Sequence, residues 1–255
     1  LTGRVTDRLN VGASVSWLDS RLRLPQADNA LFGITGMSLY ADADPATIER
    51  TGGFEDDYQF FLDWKTFQDQ RRFTGSVNGD FEATSWLRLN GLIGLDQTSR
   101  EEVNRLPQNT AYAAFGGVYS NGFIQNYTSD VRNLTTSGNA TALFSLTPEL
   151  VSTTSVGTQW LREDFHRIYA FGAGLIPGVE ESLAGATSDY EAGEDNIRNS
   201  TVSAYLQQQL AWRDRVFVNA AVRGDKNTAF GTDIGWIWYP SLSGSWVVSD
   251  EPFFP

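Results

Sequence analysis

Residues 235–254 read GWIWYPSLSGSWVVSDEPFF. Trp236, Trp238 and Trp246 all fall on even positions, with Leu242, Gly244 and Val248. Between Pro240 and Trp246 the odd positions are Ser241, Ser243 and Ser245. Successive side chains of a strand point to opposite faces, so this segment predicts a strand with one large apolar face and one small hydroxylated face. A soluble sandwich more often places charges on its outer face. The serines therefore ask what medium that face meets.

The same alternation recurs upstream. Leu9, Val11, Ala13, Val15 and Trp17 alternate with Asn10, Gly12, Ser14 and Ser16. Phe73, Gly75, Val77, Gly79 and Phe81 alternate with Thr74, Ser76, Asn78 and Asp80. Leu87, Leu89, Gly91, Ile93 and Leu95 share one parity, as do Leu134, Ala140, Ala142 and Phe144. Val202, Ala204, Leu206 and Leu210 oppose Ser203, Tyr205, Gln207 and Gln209, and Val216, Val218, Ala220 and Val222 follow. From Leu150 to Trp160 the pattern weakens, because Ser and Thr occur on both faces. Two Asn-Gly pairs, Asn78-Gly79 and Asn90-Gly91, usually mark hairpin turns. Here the alternation runs through both, which predicts strand interior.

Connections alternate in length. Tight turns are expected near Asp7-Arg8, Glu82–Ser85, Thr147–Glu149 and Arg213–Arg215. Long loops are expected at about 25–70, 102–130 and 162–196, with a middling one near 226–234. Asp44, Pro45 and Gly52 suit the cap, first position and end of a short helix in the first loop.

The chain has 255 residues, 41% hydrophobic and only 20% charged, with a formal net charge of −12. Nucleic acid is disfavoured, since phosphate binding needs clustered Lys and Arg. There are no cysteines, which removes disulfides and zinc-thiolate sites. No apolar run reaches the ~18 residues of a membrane helix. The first residue is Leu1, inside what reads as a strand end, and Pro255 follows a strand, so an internal piece of a longer protein is expected.

Two architectures fit the alternation, a soluble sandwich and an outer-membrane barrel whose apolar face meets lipid. The expected strands run about 10 to 16 residues, near the membrane-crossing length and above the usual ~5–6. Their polar faces are Ser, Thr, Asn and Gln, and the long loops lie at one end only. With the tight turns taken as one end, Phe81, Phe144, Trp212 and Trp246 fall low, and Trp17, Trp160, Trp236 and Trp238 fall high. Two aromatic belts suit two membrane interfaces. The expectation is an all-β fold: an antiparallel up-and-down transmembrane β-barrel segment of about eight long strands plus a stub. It should form an open curved sheet.

The stretches AYLQQQLAWRDRVFVNAAVRGDKNTAFG (204–231) and YPSLSGSWVVSDEPFF (239–254) resemble the barrel of SusC/RagA-type TonB-dependent transporters. Arg223-Gly224-Asp225, Phe230-Gly231, the Tyr-Pro-Ser strand and the Glu-Pro-Phe-Phe end carry the likeness. VGTQWLRED (156–164) and FGAGLIPG (171–178) resemble the middle of that barrel. The resemblance implies a barrel of about 22 strands, of which residues 1–255 form part of one barrel domain. It implies a plug domain and a TonB-contacting segment outside this chain, and a SusD-like lipoprotein lid. It also implies import of a bulky nutrient, an oligosaccharide or a peptide. Siderophore and cobalamin receptors share the barrel and form the alternative, with an outer-membrane barrel enzyme as another. No catalytic residue, metal or cofactor is assigned.

A Ser-His-Asp triad would need His166, the one histidine, which is expected in a loop beside Glu163 and Asp164. The acidic stretch 162–196 reads as a solvated loop, with calcium as the sharper reading. In FEDDYQFFLDWKTF (54–67), Tyr58, Phe60, Phe61 and Trp64 are candidate ligand or lid contacts, against simple packing on the barrel rim. Arg88, Asp80, Gln207, Gln209 and Arg223 are candidate lumen-lining residues.

Overall fold

The protein was analysed as a computed structural model, which describes residues 1–25, 33–39, 44–51, 59–231 and 235–254. Nine antiparallel strands form one sheet in chain order. They are β1 (Thr2–Thr6), β2 (Leu9–Leu24), β3 (Lys65–Glu82), β4 (Leu87–Leu106), β5 (Phe123–Thr147), β6 (Leu150–Ala173), β7 (Ser188–Trp212), β8 (Val216–Asn227) and β9 (Ile237–Trp246). Every neighbour is the next strand in sequence, and β1 does not pair with β9, so the sheet is open. The eight long strands plus a stub expected from the alternation are present. Among the described residues no helix is long and apolar enough to cross a membrane, which leaves crossing to strands.

The two faces are chemically distinct because register keeps parity across the sheet. Ala13, Val77, Ile93, Thr136, Trp160 and Val202 lie on one pairing row. Val15, Val77, Ile93, Val156 and Leu206 are all more than half exposed or at half exposure, and Leu242 reaches 78%. Water would penalise such a continuous apolar surface. The opposite face carries Ser14, Ser76, Asn78, Asn90, Ser137, Asn139 and Gln159 in successive rows.

The strands are longer than the alternation indicates. β5 and β7 each have 25 residues and β6 has 24. The expected loops at 102–130 and 162–196 are largely strand, with connections only at 107–122 and 174–187. His166, Glu163 and Asp164 stand on β6, not in a loop, and Glu191, Glu194 and Asp195 stand on β7. Both faces are polar there, so period two vanishes from the sequence although the ladder continues. β3 likewise begins at Lys65, inside the expected first loop.

The pairing rows run obliquely to the sheet ends. The row beginning at Leu9, at the lower end of β2, passes through Phe81, Leu89, Ala140, Val156, Leu206 and Val222 to Pro240. Pro240 lies well inside β9, above Trp246 at its lower end. Such stagger is the shear that strand tilt in a barrel demands.

Local chemistry explains the punctuation. Asn78-Gly79 and Asn90-Gly91 are strand interior, with Gly79 opposite Gly91. After the short helix α1 (Ile34–Leu39), α2 (Pro45–Thr51) starts where expected, with the Ala46 N–H donating to Asp44 Oδ1 at 3.2 Å; Gly52 lies outside the described residues. The β7–β8 turn places Arg213 and Asp214 at φ 51° and 54°. Two left-handed residues match the twist of a tight hairpin, although neither is the usual Gly or Asn. The Arg213 guanidinium lies 4.9 Å from the Trp212 ring centroid.

Candidate functional site

On the polar face the row Asp80, Asn90, Asn139, Gly157, Tyr205 and Arg223 crosses six strands, rising from the lower ends of β3 and β4. All of these except Gly157 line a hollow together with Gln159. Asn90 Nδ2 donates to Asp80 Oδ1. Arg223 donates through Nε to Asp225 (2.9 Å) and through a terminal nitrogen to Ser203 Oγ (2.9 Å), and leans on Gln159 Oε1 (3.4 Å). Ser203 is 1% exposed beneath it. The side-chain oxygens of Asn139 and Asn219 are buried without a hydrogen-bond partner.

Arg88, Gln207 and Gln209 share this face by register. Arg88 lies near the lower end and is paired with Glu82 at 2.9 Å. Neither it nor Arg223 is a free cation.

At the upper end, chain from two connections folds onto the polar face. Helix α3 (Gln59–Asp63), a 3₁₀ turn (Thr110–Phe115) and α4 (Gly117–Asn121) meet the ends of β4–β6. Phe60, Leu106, Tyr112, Phe123 and Ala173 form a buried cluster, with Trp64, Tyr119 and Phe171 packed against it. Phe60 meets Trp64 and Tyr112 edge to face at 5.5 and 5.0 Å. Trp64 Nε1 donates to Asn104 Oδ1 (2.6 Å), and the Tyr112 hydroxyl donates to Asp63 Oδ2 (2.6 Å). Of the four loop aromatics picked from the sequence, Phe60 is fully buried and Trp64 half-buried, so both hold the cap. Tyr58 lies outside the described residues; Phe61 belongs to α3.

Of the eight acidic residues in 163–195, three pair with arginine and a fourth faces the histidine. Asp195 takes Arg167, Asp164 takes Arg162 and Arg198, Glu194 faces His166 at 3.2 Å, and Glu181 reaches Arg105 at 2.7 Å. Glu180, in the β6–β7 connection, sits below the usual carboxylate range because the Gly178 N–H and its own N–H donate to it. Among the described residues no three acidic or histidine side chains converge as a metal site.

On the apolar face stand Trp17, Phe81, Phe144, Trp160, Trp212, Trp238 and Trp246, and Trp236 stacks on Trp238 with centroids 5.9 Å apart. Counted from the lower turn, Trp17 and Trp238 stand at the same height and Trp160 two residues higher. The oblique rows are what bring these three onto one band.

The sequence of this open, up-and-down sheet matches the TonB dependent receptor-like, beta-barrel family over residues 8–251. The chain belongs to that family. This TonB-dependent receptor barrel segment is placed by its family in the bacterial outer membrane. Its fold matches the RagAB peptide transporter at TM-score 0.73 and 13% identity, covering 95% of this chain and 29% of that one. The outer membrane transporter YddB from Escherichia coli matches at TM-score 0.58 and 12% identity, over 97% and 28%. The ferric citrate transporter FecA matches at TM-score 0.53 and 14% identity, over 98% and 33%. The receptor segment thus spans about a third or less of each of these chains. The SusC/RagA-type likeness read from its sequence therefore extends to the fold, while at these identities fold is what is shared. A search of curated protein sequences returns no match. The family and these structures are receptors and transporters.

Proposed function

We propose that this segment forms wall and extracellular loops of a single barrel domain in a TonB-dependent importer of the SusC/RagA type. The observation that carries the reading is the division of one open sheet into an apolar face and an amide- and hydroxyl-rich face. In this reading the apolar face meets outer-membrane lipid, and its aromatics form two interfacial belts. Arg88, Gln207, Gln209 and Arg223 line the lumen. The long connections, including the one with Tyr58, Phe60, Phe61 and Trp64, face outward, where ligand or a SusD-like lipoprotein approaches. A plug domain and a TonB contact complete the machine. The cargo is an oligosaccharide or a peptide, and the amide row around Asn139 suits either, since both offer many hydrogen-bond donors.

The chain performs no covalent chemistry in this reading, and His166→Ala leaves uptake unchanged. The FecA likeness supports a second reading, a receptor for a ferric chelate. Deleting the gene and assaying growth on peptides, oligosaccharides or ferric chelates separates the two. Uptake of one class should be lost, and should also stop when the inner-membrane proton gradient is dissipated. Uptake that survives dissipation would sink the importer reading.

A further inference from the structure

The aliphatic band of the apolar face ends on β6 at Trp160. Its indole Nε1 donates to Ser200 Oγ at 2.7 Å. Beyond it on the same face come Arg162, Asp164 and His166. Register sets Arg132 of β5 and Arg198 of β7 on either side of Asp164. With Asn196 these side chains wall a hollow whose floor is the chain at Val131, Phe165 and Ile197.

Three guanidiniums, Arg132, Arg162 and Arg198, line this hollow against two carboxylates, Asp130 and Asp164, which leaves one cation in excess. Asp164 accepts from Arg162 (2.9 and 3.1 Å) and also from Arg198, so one carboxylate answers two guanidiniums. Arg132 is exposed and has no ion pair or hydrogen bond among the described residues. Asp130 accepts from Ser99, and His166 faces Glu194. Lys226 adds a further exposed cation, two strands from Trp160 on the same row.

Depth selects the ligand. An interfacial Trp marks the headgroup level. Two residues of strand advance about 7 Å, and less along the membrane normal at barrel tilt. Arg162 and then Arg132 and Arg198 therefore occupy the layer just outside the hydrocarbon. Forked guanidinium donors fit phosphate oxygens. We propose that this hollow binds the phosphate of an outer-leaflet lipid headgroup. The inference rests on the reading that the apolar face meets lipid.

The test uses the complete receptor in a mild maltoside detergent, mixed with lipid A, a diphosphorylated glucosamine lipid. Native mass spectrometry counts the lipid retained. The wild type should retain it, and the R132Q/R198Q variant should lose about ten-fold, as expected for lost charge-assisted hydrogen bonds. R132K should keep part of the retention, and R88Q, on the other face, all of it. Equal retention by wild type and R132Q/R198Q overturns the proposal. So does equal retention of dephosphorylated lipid A, or displacement of the lipid by inorganic phosphate at equal concentration. Outer-membrane fractionation separates the two readings. A variant that enters the membrane yet keeps its lipid sinks the site alone, whereas a wild type that never enters sinks both.

Discussion

The ring of Tyr205 lies over Gly157. The two are cross-strand partners on β7 and β6, and a Cβ at position 157 would collide with the Tyr205 ring. Tyr169 covers Gly193 and Trp238 covers Gly224 in the same manner. An aromatic ring thus shelters a strand glycine that has no side chain of its own. Gly157→Val should destabilise the barrel by about 1–3 kcal/mol, since the ring must leave its place. Tyr205→Ala should restore part of the loss in the double variant. Unfolding in urea from lipid vesicles measures both, and additive effects would disprove the coupling.

The faces should respond oppositely to charge. Ile93→Arg puts a guanidinium in the apolar band at a cost of about 2–4 kcal/mol. Ser137→Arg, on the polar face, should be tolerated. The readout is the share of receptor recovered in the outer-membrane fraction. Equal recovery would reverse the face assignment.

Gln208 is a polar residue on the apolar face. Its amide is held by Thr154 Oγ1, which donates to it at 2.6 Å, and by Ser152 Oγ, which accepts at 2.9 Å. Thr154→Val should cost about 1–2 kcal/mol, because the Gln208 carbonyl is left unpaired where lipid cannot replace the donor. Gln208→Leu in that background should recover most of the stability in the same urea titration.

The β7–β8 turn carries two left-handed residues that are not glycine. Replacing Arg213-Asp214 by Asn-Gly should raise stability by about 1 kcal/mol and slow unfolding. Unchanged or lower stability would show that the Arg213–Trp212 contact outweighs the backbone relief.

Phe60→Ala should loosen the cap without touching insertion. Amide exchange at Thr110–Asn121 should accelerate while exchange in β8 and β9 stays as it was. Uniform acceleration would mean that the cap supports the whole sheet.

Legibility followed the media on the two sides of each strand. In β2, β3, β8 and β9 one face is apolar and the other polar, so parity is written plainly. The lower half of β6 read weakly because Ser152 and Thr154 sit on the apolar face to satisfy Gln208, which lies 54 residues from Thr154. The upper halves of β5, β6 and β7 read as loops because both faces are polar there. The cap was invisible for another reason: Phe60, Leu106, Tyr112 and Ala173 come from four separate segments, and no local pattern links them.

The opening segment shows where the division falls. Residues 235–254 by themselves determine which side chains share a face, because parity depends only on the extended backbone. They also place a Trp near each end of the strand. Register was decided by tertiary structure alone. It set Trp238 over Gly224, tilted the rows so that Trp17 and Trp238 reach a common band, and gathered Arg132, Arg162 and Arg198 around Asp164. Alternation is local and survives any pairing, whereas register is fixed by packing and hydrogen bonds between strands that the sequence holds far apart.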